Sequence, residues 1–102
     1  MILITGHVIL NLEHRERIIA LGAEHSARSR GEAGCLGHRC HVDVEQPDRL
    51  VFVEKWADIA AVRAHFAVPA PSTFVAEMRV LSPQPPVIRI YAAEDITAKL
   101  MG

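Results

Sequence analysis

Six histidines, two cysteines and one tryptophan hold most of the reactive chemistry of this 102-residue chain. Imidazoles exchange protons near neutral pH and ligate metals, and thiolates are nucleophiles and soft ligands. Spacing decides which of these uses is open. Glu54 stands two residues before Trp56, so both project from one face of an extended segment. A carboxylate facing a partly apolar cavity would have a raised pKa and could serve as a base. The alternative is a structural Glu that bonds backbone or an arginine. His38 alternates onto one face with Leu36, Cys40, Val42 and Val44, so it is expected to point inward, either tuning a pocket or as a satisfied core histidine. His7, central in an apolar run, has the same two readings. His14, His25 and His41 read as surface residues.

Cys35 and Cys40 fall within one predicted strand. They are expected on opposite faces, roughly 16 Å apart, too far to pair. A reduced, cytoplasmic chain is the simple expectation. Zinc sites use closely spaced Cys and His pairs with two further ligands at a set distance. Only His38 and Cys40 would share a strand face, so no metal site is expected. Cys40 reads as a core residue and Cys35 as half-buried.

The elements that must position these groups follow from periodicity. Residues 2–10 are β-branched and apolar, and read as a strand. Asn11 can cap a helix over 12–30, with Glu13 in its first turn, an apolar stripe of Ile18, Ile19, Ala23 and Ala27, and Gly31 at its stop. Residues 35–44 and Leu50 to Trp56 form a hairpin around Glu45-Gln46-Pro47-Asp48. Asp58 caps a short helix with Ile59, Val62 and Phe66 inward, ended by Pro69. Ser72 caps a further helix carrying Phe74, Met78 and Leu81, and Val87 to Ala93 is the last strand. The tail 95–102 is left unassigned. The order β-α-β-β-α(α)-β is the ferredoxin-like α+β pattern, with an antiparallel sheet.

Composition narrows the class. Half of the residues are hydrophobic, the net charge is −1 and 5% are aromatic. Disorder is excluded, and no apolar run reaches the roughly 18 residues of a membrane span. The start, Met1 to Thr5, lacks the marks of a signal peptide. Near-neutral charge with few aromatics argues against nucleic acid. A soluble, cytoplasmic, single domain over 1–102 is expected. Both faces of the first and last strands are apolar, while helices can cover only one. A second copy, sheet against sheet, would cover the other.

Two segments then stand out together. One is Glu32-Ala33-Gly34-Cys35-Leu36-Gly37-His38, followed by Asp43. The other is Val51-Phe52-Val53-Glu54-Lys55-Trp56-Ala57-Asp58, followed by Ala61, Ala64, His65 and Phe66. The combination resembles the antibiotic biosynthesis monooxygenase family, with a Glu-Pro-Gly-Cys-like opening to strand two, a Glu-x-Trp closing strand three, and a His nine positions later. The resemblance implies a dimeric α+β barrel. It also implies oxidation of a small aromatic phenol or hydroquinone by O2, without metal, flavin or haem. It places Trp56 on the cavity wall, where its indole N–H would reach a substrate oxygen or peroxide, unless it is a plain core Trp. It makes His65 the residue that orients or deprotonates a phenol, unless it caps the cavity or packs at a subunit contact.

His38 stands where the family often has an aromatic. Catalytic roles therefore fall to Trp56, His65, His38 and Glu54, and substrate contacts to Phe52, Phe66, His7 and Phe74. Phe52 departs from the Asn of some quinone-forming members, and Pro69-Ala70-Pro71 from a frequent Pro-His-Phe. The helix 72–81 has no His, so haem degradation is not expected. Two other functions use the same pocket: a dimeric barrel that binds a small ligand without turnover, and an isomerase that moves protons without O2.

Overall fold

The computed structural model describes all 102 residues. Its elements are β1 (Ile2–Ile9), α1 (Arg15–Ser29), β2 (Cys35–Val42), β3 (Arg49–Trp56), α2 (Ile59–Ala67), α3 (Pro69–Leu81), β4 (Val87–Ala92) and α4 (Thr97–Met101). The strands form one antiparallel sheet in the order β2-β3-β1-β4. This is the ferredoxin-like α+β arrangement expected from the pattern. No helix is long and apolar enough to cross a membrane.

The element boundaries differ from expectation where local chemistry competes. The Asn11 side chain accepts a hydrogen bond from the Glu13 N–H at 3.0 Å, but it caps a 3-10 turn over Leu12–His14 that precedes α1. Pro69 ends α2 as expected, with the preceding Val68 extended. It also opens α3, so that helix starts three residues before Ser72. A proline suits that place, because a first-turn N–H has no partner within the helix anyway. Asp58 caps α2 as expected, accepting from the Ala61 N–H at 2.8 Å. The segment after α1 turns at Gly34 rather than Gly31. Gly34 has φ +81°, and a Cβ there would lie 2.5 Å from the Cβ of Ala61. Both facts require glycine, and they seat α2 against the start of β2.

The helices cover one face of the sheet. Val8, Leu10, Ile18, Leu21, Leu50, Phe52 and Met78 form one core cluster, and Ile2, Ile4, Trp56 and Val62 form another. Gly22 lets α1 approach closely, since a Cβ there would sit 2.9 Å from Leu50 and 3.2 Å from Phe52. The inner stripe of α1 is Ile18, Leu21, Gly22, His25, Ser26 and Ser29. Ala23 and Ala27, expected inside, are exposed. Apolar spacing misled because the second half of the buried stripe is polar.

The β2 edge carries another correction. An irregularity between Cys35 and Gly37 leaves Leu36 without a partner and 61% exposed. Cys35 pairs with Trp56 and Cys40 with Phe52, so both cysteines face the helices instead of opposite sides. Each is a free thiol at partial burial, Cys35 packing on the smaller cluster and Cys40 on the larger.

Candidate functional site

Between the two apolar clusters, the helix-facing side of the sheet turns polar. Along β3 the inward residues run Phe52, Glu54, Trp56, and along β2 they run Cys40, His38, Cys35. His38 is directly opposite Glu54 in the register. Above this pair, α1 lowers His25 and Ser26, and α2 lowers His65. The three imidazole rings lie 5.1 to 6.1 Å apart by centroid. All three are buried, and one nitrogen of each lies within 4.8 Å of the others. This group could hold a metal ion, unlike the His38 and Cys40 pairing considered from the strand alone.

Each ring is held differently. The His65 Nδ1 lies 2.6 Å from Glu32 Oε2. An ionised carboxylate only accepts, so Nδ1 carries a proton, and in the neutral ring Nε2 holds the lone pair. Glu32 sits just beyond α1, in the turn that Gly34 completes, and Arg28 lies 3.6 Å from its other oxygen. The His38 Nδ1 lies 2.8 Å from the Ser26 hydroxyl. Its Nε2 comes within 3.3 Å of Glu54 Oε1, yet the geometry falls short of a hydrogen bond, so this buried nitrogen lacks a partner. His25 stacks on Phe74 at 4.2 Å with the planes 4° apart. Burial, then the neighbouring His38 and His65 and the Arg28 guanidinium, lower the His25 pKa to about 4 against the opposing pull of Glu54. His25 is therefore neutral at pH 7.

These placements revise several expected roles. His25 is no surface residue: it is 9% exposed and central to the cluster. Trp56 is fully buried, and its indole N–H donates to Glu54 Oε1 at 3.0 Å. It is thus committed to the carboxylate and does not line the cavity described below. Burial alone would raise the Glu54 pKa, but the His38 imidazole 3.3 Å away, then the Trp56 N–H and His65, hold it below the usual carboxylate value. The raised pKa expected of a base is not found. His38 points inward, as the alternation implied.

A cavity of about 150 Å³ opens beside the cluster. Phe52, Phe66 and Phe74 supply aromatic lining, and Glu54, His25 and His65 supply polar lining. Phe52, Phe66 and Phe74 therefore stand where substrate contacts were expected. His7 reaches only the rim. It is opposite Val51 in the register, so its side chain belongs to the open face of the sheet, where burial, Arg49 and Arg89 depress its pKa. A wider, shallower groove of about 460 Å³ lies outside, between α1 and α3, and shares His25 and Phe74 with the inner cavity. The stacked pair is thus the partition between the two.

Sequence reading missed His25, Ser26 and the pairing of Glu32 with His65. A signal existed: positions 18, 22, 25, 26 and 29 continue one helical stripe through polar residues.

Comparison with known proteins agrees with this architecture. The model of the antibiotic biosynthesis monooxygenase family matches residues 1–77. The uncharacterized protein sll1783 of Synechocystis sp. is 30% identical over 90 residues, which cover 88% of this chain. The chain spans 61% of that relative's length. Protein SO0527 of Shewanella oneidensis is 31% identical, with a TM-score of 0.79 over 88% of this chain and 87% of that one. A proposed antibiotic biosynthesis monooxygenase from Deinococcus radiodurans shares the fold, with a TM-score of 0.88 and 24% identity over 93% of this chain and 94% of that one. The chain belongs to the antibiotic biosynthesis monooxygenase family.

Proposed function

We propose that the protein is a monooxygenase that oxidises a single-ring phenol or hydroquinone with O2, without an organic cofactor. The observation that carries this reading is the His65–Glu32 pair at the wall of an aromatic-lined cavity. A cavity of about 150 Å³ is well below the roughly 300–1,000 Å³ of sites for drug-sized ligands. It suits one substituted ring better than a fused three-ring anthrone. Phe52, Phe66 and Phe74 would hold the ring. Glu32 fixes the His65 proton on Nδ1, so Nε2 is the nitrogen that takes the phenolic proton. The resulting phenolate is electron-rich enough to pass an electron to O2, and the apolar walls keep water from the intermediate. Arg79 adds a permanent positive charge at the lining, which favours an anionic ring. In this scheme Glu54 faces the substrate at the cavity wall, and Trp56 holds Glu54 without touching substrate. His38 lies behind Glu54, outside the cavity lining.

Assembly as a homodimer, sheet against sheet, belongs to the same reading. The helices leave β4 uncovered, with Val87, Ile88, Ile90 and Tyr91 all at 36% exposure or more. A second copy would bury that surface.

The experiment is oxygen uptake with a panel of hydroquinones, phenols and anthrones, comparing wild type with His65→Ala. Uptake with single-ring substrates, lost in the variant, is expected. Equal background rates in both proteins across the panel would overturn the reading. Anaerobic product analysis separates it from proton transfer without O2, and a bound but unchanged ligand would mark a binding protein.

A further inference from the structure

We propose that His25, His38 and His65 form a binding site for one divalent transition-metal ion, with the fourth position open to water. The three rings come from three elements, α1, β2 and α2, and converge in the interior. Their nitrogens lie within 4.8 Å of one another. A tetrahedral ion with bonds of about 2.0–2.1 Å would hold nitrogens about 3.4 Å apart, so each ring need move inward by less than about 1 Å.

The surroundings match what such a ligand set needs. His65 donates its Nδ1 proton to Glu32, the arrangement that fixes a metal-binding imidazole and leaves Nε2 free. The Ser26 hydroxyl can accept from the His38 Nδ1, which frees the His38 Nε2, the buried nitrogen that otherwise has no partner. The Glu54 carboxylate, 3.3 Å from the His38 Nε2, offsets part of the ion's charge. Burying three imidazoles with an unsatisfied nitrogen is costly unless something bonds them. Three imidazoles select zinc, cobalt, nickel or copper over magnesium or calcium.

The proposal does not rest on the oxidation reading. An ion on the His65 Nε2 would occupy the lone pair that reading assigns to the substrate proton, so metal binding is measured by itself. The probe is Co²⁺ added to untagged, chelator-treated protein and followed by visible absorption. One equivalent is expected to bind, giving the bands of a four-coordinate ion. His25→Gln and His65→Gln should each weaken binding at least about tenfold, and the double variant His14→Gln, His41→Gln should leave it unchanged. Binding that survives His25→Gln but falls in the surface double variant would overturn the site, as would no binding at all. Zinc-edge X-ray absorption on the wild type requires no variant to fold. Three imidazole nitrogens at about 2.0 Å are expected, and one or none would contradict the proposal.

Discussion

Two neighbouring regions of one sheet face are built on opposite principles. Around Val8, Leu50 and Met78 every inward side chain is apolar, and packing alone accounts for the contacts. Further along the sheet, His38 and Glu54 on the strands and His25, Ser26 and His65 on the helices above occupy buried space with polar atoms. The first region gains stability by removing hydrocarbon from water. The second gives some of it up, because each buried polar group must recover its lost hydration through partners. Ser26, Glu32 and Trp56 supply most of those partners, and the His38 Nε2 is left over. The costliest groups thus stand beside an aromatic-lined cavity, the placement on which the proposed function rests.

The largest expected effect breaks the apolar side. Leu50→Ala, in a side chain 1% exposed, should cost about 3 kcal/mol of stability by urea unfolding. A loss below about 1 kcal/mol would mean that this cluster is not the main core. Next comes the polar side. Glu32→Gln removes the group that fixes the His65 tautomer and should lower hydroquinone-dependent oxygen uptake about 100-fold. Its unfolding midpoint should move far less than that of Leu50→Ala, since Glu32 is partly exposed. An equal rate in Glu32→Gln and wild type would remove the dyad from the scheme.

The same contrast explains what was legible in the sequence. Wherever alternation and apolar spacing set the structure, as in β1, β3, β4 and α2, the elements fall within a residue or so of expectation. The helix-facing positions of Phe52, Glu54, Trp56 and His38 follow directly from the period of two. Pattern failed where backbone chemistry intervened. Leu36 left the inward face because an unpaired residue at the start of β2 breaks the alternation, and Pro69 opens a second helix as well as ending the first. It failed most at His25. Polar residues on an inward stripe carry no hydrophobic signal, and the partners that satisfy them are up to 33 positions away in sequence. The family resemblance placed Trp56 on the cavity wall, and the spacing made Glu54 either a base or a structural carboxylate. Their mutual hydrogen bond commits the indole to the carboxylate.

Acid should sharpen the comparison further. His25 has an ordinary pKa of 6.5 and a folded value of about 4. Between these values the unfolded chain binds a proton that the folded protein excludes. The His25 contribution is thus complete above pH 6.5 and is lost as pH falls toward 4, with a slope of up to about one proton. The lowered Glu54 pKa adds a further loss at still lower pH. In His25→Phe the slope in the upper window should flatten, while Leu50→Ala should keep it. Denaturation midpoints across pH 4 to 7 read this directly, and an unchanged slope in His25→Phe would place the titrating group elsewhere. The smallest expected effect concerns the thiols. Burial raises the pKa of both Cys35 and Cys40. Native protein at pH 8 should react with a thiol reagent more slowly than the urea-unfolded chain, and equal rates would show both cysteines freely accessible.

The central claim is that the buried histidine belt, and not the open sheet face or the outer groove, receives the ligand. Nitrogen-detected NMR of the histidine rings during anaerobic titration with a hydroquinone tests it most directly. The account predicts that the His65 and His25 ring nitrogens shift in a saturable way while those of His14 and His41 stay still. Saturable shifts confined to His14 or His41, with His25 and His65 unmoved, would contradict it.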